Sequence, residues 1–156
     1  MSRFLFTATD QSDTERLGEM LAQLLPPGTV VALIGTLGAG KTRLVQALGS
    51  ALGIPRESVV SPTFVLCQEY RGSKAVFHLD AYRLRDEDEF YELGPQEWFE
   101  SDALTVIEWA DRIVRCLPDE RLEIRIEVLP DEAREFEIRA VGKNLIDVVD
   151  SLRKSI

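Results

Sequence analysis

Thr29 to Ile34 is nearly all apolar, the pattern of a strand covered on both faces. It runs directly into Gly35-Thr36-Leu37-Gly38-Ala39-Gly40-Lys41-Thr42, after which Leu44, Val45 and Leu48 recur at helical spacing. A G-x-x-x-x-G-K-T octapeptide between a buried strand and a helix narrows the fold more than any other feature of the chain. Its glycines let the loop curl until several backbone N–H groups point inward, which makes an anion cradle. The helix behind it adds the positive end of its dipole. Lys41 is placed to reach the β- and γ-phosphates of a nucleotide, and the Thr42 hydroxyl to ligate Mg²⁺. The expected ligand is therefore ATP with Mg²⁺, held by Leu37, Gly38, Ala39, Gly40, Lys41 and Thr42.

The flanking sequence supplies the rest of an α/β sheet. Arg3 to Ala8 reads as an opening strand. Ser12-Asp13-Thr14-Glu15 fits a capping box, and Leu17, Met20, Leu21 and Leu24 follow at helical spacing until Pro26-Pro27-Gly28. Gly53-Ile54-Pro55 stops the helix after the glycine loop. Thr63 to Tyr70 and Ala75 to Leu79 read as strands joined through Arg71-Gly72-Ser73-Lys74. Arg85 to Glu92 and Pro95 to Glu100 read as short helices, and Ala103 to Ile107 as a second buried strand. Leu122 to Val128 and Phe136 to Ala140 alternate apolar with charged residues, as half-exposed strands do, and Asn144 to Lys154 closes as a helix. The expectation is one domain over residues 1–156. Its fold class is α/β, a P-loop NTPase-like three-layer sandwich with a mainly parallel central sheet and antiparallel additions.

A phosphate loop needs a carboxylate for its metal, usually at the end of a neighbouring apolar strand. Glu108, which ends Ala103-Leu104-Thr105-Val106-Ile107 and precedes Trp109, is the best candidate. Two further segments are compatible with nucleotide sensing. Ser61-Pro62-Thr63-Phe64 offers hydroxyls, though Ser-Pro is also an ordinary turn start. His78-Leu79-Asp80-Ala81-Tyr82-Arg83 puts Asp80 and Arg83 at a strand end, where a satisfied histidine and a surface ion pair would look the same in sequence.

Composition excludes other classes. With a net charge of −9 and no Lys/Arg cluster, the chain is a poor solitary binder of tRNA or DNA, which requires local positive charge. His78 is the only histidine, so a zinc site built on several histidines is excluded. Cys67 and Cys116 have no ligand-type spacing and read as free thiols. No apolar run approaches the roughly 20 residues of a membrane span, and the N-terminus does not read as a secretory signal, so the expected location is the cytoplasm, with no membrane partner.

Taken in order, Leu37-Gly38-Ala39-Gly40-Lys41-Thr42, Ser61-Pro62-Thr63-Phe64, His78-Leu79-Asp80-Ala81-Tyr82-Arg83 and Val106-Ile107-Glu108-Trp109 resemble the TsaE family (also called YjeE). This is the bacterial P-loop family needed for threonylcarbamoyladenosine formation in tRNA, and the resemblance spans nearly the whole chain. It implies that Thr42 and Glu108 hold Mg²⁺, that Thr63 and Asp80 are needed near the γ-phosphate, and that Trp109 sits beside the site. By position, two further nucleotide contacts map onto Gln11 and Arg134. It also implies a Mg²⁺-dependent ATPase, slow alone, that acts on its partners TsaD and TsaB and meets tRNA only through that complex. The acidic run Asp86-Glu87-Asp88-Glu89 could dock on a partner or be a solvated helix face. A small-molecule kinase would use the same loop, but no arginine-rich insertion follows Glu108, where only Arg112 and Arg115 stand. A nucleotide-gated module without turnover would need the same cradle. A GTPase is disfavoured by the absence of an Asn-Lys-x-Asp segment.

Overall fold

The computed structural model describes residues 2–36, 38–60 and 67–155. Its strands are β1 (Arg3–Ala8), β2 (Val30–Gly35), β3 (Cys67–Arg71), β4 (Ala75–Asp80), β5 (Leu104–Glu108), β6 (Arg121–Val128) and β7 (Arg134–Val141). Its α-helices are α1 (Gln11–Leu24), α2 (Lys41–Ala51), α3 (Glu87–Glu92), α4 (Pro95–Phe99) and α5 (Ile146–Ser155). A 3₁₀ segment, Ala110–Cys116, follows β5.

The strands form one sheet in the order β1-β7-β6-β2-β5-β4-β3. Its centre, β6-β2-β5-β4, is parallel, and β3, β7 and β1 are added antiparallel. The fold is thus α/β with a parallel centre and antiparallel additions, as the pattern of apolar runs leads one to expect. β2 is buried along five of its six residues, which matches its unbroken apolar sequence. β7 alternates, because only Phe136, Ile138 and Ala140 face the core.

Each face of the sheet has its own apolar cluster. On one side Leu17 and Leu21 of α1, Leu44 and Leu48 of α2, and Val149 and Leu152 of α5 pack on Leu33, Val106, Ile124 and Ile138. On the other, Phe90 of α3 and Ile113 and Cys116 of the 3₁₀ segment pack on Ala32, Leu79 and Ile107, with Trp98 and Phe99 of α4 at the margin.

One local expectation is corrected. Asp10, not Ser12, caps α1: its backbone is extended and its carboxylate accepts from the Asp13 N–H at 3.1 Å. Asp13 in turn accepts the N–H of Thr9, the residue before the cap, at 2.9 Å, so the capping pair is Asp10 and Asp13, two residues earlier than expected. β1 ends at Ala8, and this leaves Asp10 as the turning residue. Part of the strand expected from Thr63, residues 63–66, lies outside the described residues.

Candidate nucleotide site

The site forms where the parallel strands end. After β2 the chain builds β3, β4 and β5 on one side, then returns to place β6 on the other side of β2. A crevice at the carboxyl ends of parallel strands, where the chain switches sides, is where ligands lodge in open α/β sheets. The glycine loop leaves β2 at this point. Leu33 of β2 pairs with Glu108 of β5, and Glu108 pairs with Asp80 of β4, so both carboxylates stand at strand ends beside the loop.

Gly40 begins α2 at φ 111° and Gly38 has φ 80°, left-handed values that favour glycine. Gly40 makes no side-chain cap bond, and the first turn of α2 contains no acid. Its leading N–H groups therefore lack the usual side-chain acceptor and face the loop. Lys41 is buried, and its Nζ donates to the Gly35 and Thr36 carbonyls at 2.7 and 2.9 Å. Burial pushes the pKa of this ammonium below its ordinary value, against the opposing pull of Glu108, Asp80 and Asp111.

Glu108 is 2% exposed, which disposes of a solvated strand-end carboxylate. The Thr42 hydroxyl stands 3.1 and 3.0 Å from its two oxygens and donates to them, which leaves the hydroxyl lone pairs available. Asp80 is also buried, and its Oδ1 accepts the Tyr82 N–H at 2.8 Å.

Trp109 takes a left-handed backbone, φ 59° and ψ 37°, uncommon for a residue with a side chain. The turn reverses the chain after Glu108. It lays the indole 4.0 Å from Lys41 Nζ and 4.8 Å, centroid to centroid, from the Tyr82 ring. A recess of about 280 Å³ is lined by Gly38, Gly40, Lys41, Thr42, Arg43, Glu108 and Trp109.

A second cavity, of about 410 Å³, lies across the same glycines. Gln11 and Thr14 of α1 and Ala8 to Asp10 wall it on one side, and Glu132, Arg134 and Phe136 on the other. Arg134 is tied to the loop, its Nε donating to the Ala39 carbonyl at 3.0 Å. Gln11 Oε1 accepts from Arg43 at 3.3 Å. The structure therefore brings Gln11, Arg134, Gly38, Ala39, Gly40, Lys41, Thr42, Asp80, Glu108 and Trp109 to one end of the sheet. Leu37 and Ser61-Pro62-Thr63-Phe64, including Thr63, lie outside the described residues.

Sequence reasoning missed three contacts. His78 is bound to Glu108 at 2.5 Å and to Tyr70 at 3.1 Å, and Tyr82 packs on Trp109. The available signal for the first was parity: His78 and Asp80, two residues apart, share a face of β4. The acidic run has local tasks. Asp86 caps α3, Glu89 accepts from Arg85 at 2.6 Å, and Glu87 accepts the Arg115 N–H at 2.9 Å.

The chain is 40% identical to the tRNA threonylcarbamoyladenosine biosynthesis protein TsaE of Treponema pallidum (strain Nichols), over 81% of this chain and 93% of that one. It is 38% identical to the Bacillus subtilis (strain 168) protein of the same name, over 91% and 89%. The crystal structure of Bacillus subtilis YdiB superposes with a TM-score of 0.84 at 29% identity, covering 99% of this chain and 97% of that one. Residues 8–136 match the model for threonylcarbamoyl adenosine biosynthesis protein TsaE, and the chain belongs to that family.

Proposed function

We infer that the chain binds ATP with Mg²⁺ and hydrolyses it in support of threonylcarbamoyl transfer to an adenosine of tRNAs that read codons beginning with adenine. It acts on the TsaD–TsaB complex and does not perform the transfer itself. The observation that carries this reading is the Thr42 hydroxyl held against the buried Glu108, at the start of a helix with no side-chain cap and beside a buried lysine.

The residues fit the ion. Mg²⁺ prefers hard oxygens and usually takes few of them from protein, completing its shell with phosphate oxygens and water. Thr42, Glu108 and Asp80 offer such oxygens, and among the described residues no cluster of three His, Cys, Asp or Glu could hold a metal alone. Thr42 and Glu108 would hold the ion, which when bound neutralises developing charge between the β- and γ-phosphates. Lys41 and the leading N–H groups of α2 would hold the phosphates, while Gln11 and Arg134 would flank the nucleoside in the cavity of about 410 Å³ that they wall. Asp80, beside Glu108, is the second carboxylate for ordering metal-bound water.

Charge favours a protein partner over naked tRNA. A groove of about 700 Å³ beside Thr36 and Trp109 carries Asp111, Glu127, Glu135 and Glu137 against one arginine, Arg125. Such a surface suits a basic protein segment. No helix among the described residues is long and apolar enough to cross a membrane, and we place the chain in the cytoplasm with its partners. The kinase alternative gains nothing here, because the Arg112 guanidinium donates to the Leu84 carbonyl at 3.1 Å and lies over the Tyr82 ring.

The test is gel filtration of this chain with TsaD and TsaB under ATP, ADP and no nucleotide, with ATPase assays and a tRNA filter-binding control. ATP-favoured association with stimulated hydrolysis is expected. Salt-resistant tRNA binding by the chain alone, without association or stimulation, would refute the reading.

A further inference from the structure

His78, the only histidine of the chain, is sealed from solvent at 0% exposure. Both ring nitrogens have partners. Nδ1 lies 3.1 Å from the Tyr70 hydroxyl and Nε2 lies 2.5 Å from Glu108 Oε2. The three side chains come from adjacent strands. β3 pairs Gln68 with His78 and Tyr70 with Val76, and β4 pairs His78 with Val106 and Asp80 with Glu108. Tyr70, His78 and Glu108 therefore step diagonally across one face of the sheet toward the glycine loop.

The donors of this row point one way. The Tyr70 hydroxyl has one proton to give, and Nδ1, 3.1 Å away, is placed to accept it. Burial holds the Tyr70 phenol above its ordinary pKa, which keeps it a donor. A neutral ring that accepts at Nδ1 carries its proton on Nε2 and donates it to Glu108. The carboxylate thus receives one hydrogen bond from within the sheet and another from Thr42, with Oε1 left beside the Thr42 hydroxyl.

We propose that His78, backed by Tyr70, is a positioning residue that fixes the orientation of Glu108 for the metal–nucleotide. This rests on the reading of the site as one for Mg²⁺-ATP. A carboxylate held by two donors on rigid elements loses little freedom when a cation arrives, whereas one held by a single hydroxyl must be ordered at that moment. Outer hydrogen bonds of this kind commonly contribute about 10- to 100-fold to metal affinity or activity. A core histidine kept only for packing would do the same for the fold but would not distinguish metal-bound from metal-free nucleotide.

With one histidine, the untagged chain gives a single set of imidazole resonances. Nitrogen NMR at neutral pH should show the ring proton on Nε2, exchanging slowly with water; a ring with no proton on Nε2 would overturn the proposal. A fluorescent ATP analogue is then titrated in EDTA and against Mg²⁺. His78→Leu should leave the EDTA affinity unchanged and raise the Mg²⁺ half-saturation about tenfold. His78→Gln, which keeps a donor, should recover most of the loss, and Tyr70→Phe should cost less. In a Glu108→Gln background, His78→Leu should add nothing, because the group it positions is gone. Equal loss in EDTA and Mg²⁺, or an effect additive with Glu108→Gln, would overturn the positioning role. If instead the parental chain binds the analogue with no dependence on Mg²⁺, the magnesium reading itself fails and the proposal with it.

Discussion

Replacing Lys41 with methionine removes one positive charge and keeps an unbranched side chain of similar length. The parental ammonium has three N–H donors, and two are committed to the Gly35 and Thr36 carbonyls at 2.7 and 2.9 Å. One donor therefore remains for an incoming phosphate, so the lysine need not abandon the loop to bind it. Two unit charges about 4 Å apart attract by ~4 kcal/mol at an effective dielectric of ~20. The neighbouring Glu108 and Asp80 draw on the same charge, so the net loss is smaller than this. We expect ATP affinity to fall by ~2–4 kcal/mol, about 30- to 1,000-fold. The assay is titration of a fluorescent ATP analogue with excess Mg²⁺, paired with thermal melts with and without ATP. The ligand-induced rise in Tm should largely vanish in the variant, because stabilisation follows ligand occupancy. Affinity within about threefold of the parental chain, which is under ~0.7 kcal/mol, would mean that Lys41 only staples the loop and that the charge argument is wrong.

Gly40→Ala tests the cradle by backbone alone. The nearest atom to an added Cβ is Arg134 Nε at 4.0 Å, so the cost is the left-handed φ of 111° and not a clash. That strain is ~1–2 kcal/mol, seen as a Tm lower by about 2–8 °C, with nucleotide affinity down about tenfold where the loop relaxes instead; unchanged melting and binding would refute the assigned backbone. Glu123 offers a pH test away from the site. It is buried on β6, with Arg121 and Arg139 each 2.7 Å away. Burial pushes its carboxyl pKa up, but the hydrogen bonds from Arg121 and Arg139 outweigh it and bring the folded value below the ordinary one. A depressed folded pKa means stability that is present above the unfolded carboxylate range and lost as pH falls through the folded value. Glu123→Gln should therefore destabilise by ~1–3 kcal/mol at neutral pH. In urea denaturation the difference should shrink as pH falls from the ordinary carboxylate range through the lower folded value, where the parental carboxyl also protonates; a gap independent of pH would refute the ion-pair account.

What could be read from the sequence was what depends on near neighbours. The glycine loop is a local device, and its strand and helix flank it within a dozen residues. Glu108 could be found because an apolar run ending in a carboxylate is a one-dimensional pattern. Asp10 and Ser12 illustrate the limit of such patterns: both Asp10-x-x-Asp13 and Ser12-x-x-Glu15 satisfy the capping rule, and the end of β1 at Ala8 decides between them. The pairing of Gln11 with Arg134 around one cavity is not local at all, since it follows from β7 lying antiparallel to β1; only family resemblance connected them in advance.

The same distinction explains why His78 looked ordinary. In isolation a histidine between two apolar residues of a strand is satisfied by any nearby polar group. Its partner is set by register: a shift of one residue between β4 and β5 would turn Glu108 to the opposite face from His78. Register in turn is fixed by burial on both faces. Leu79 and Ile107 face one cluster, while Val76, Leu104 and Val106 face the other, so a slip of either strand would drive its own polar residues, His78 and Asp80 of β4 or Glu108 of β5, into the layer of α3 and the 3₁₀ segment. The apolar residues of these two strands thus do more than fill the core. By excluding the slipped pairing, they place three polar side chains together on the face where α2 brings Thr42, and that coincidence turns a common glycine loop into a site with its own metal carboxylate.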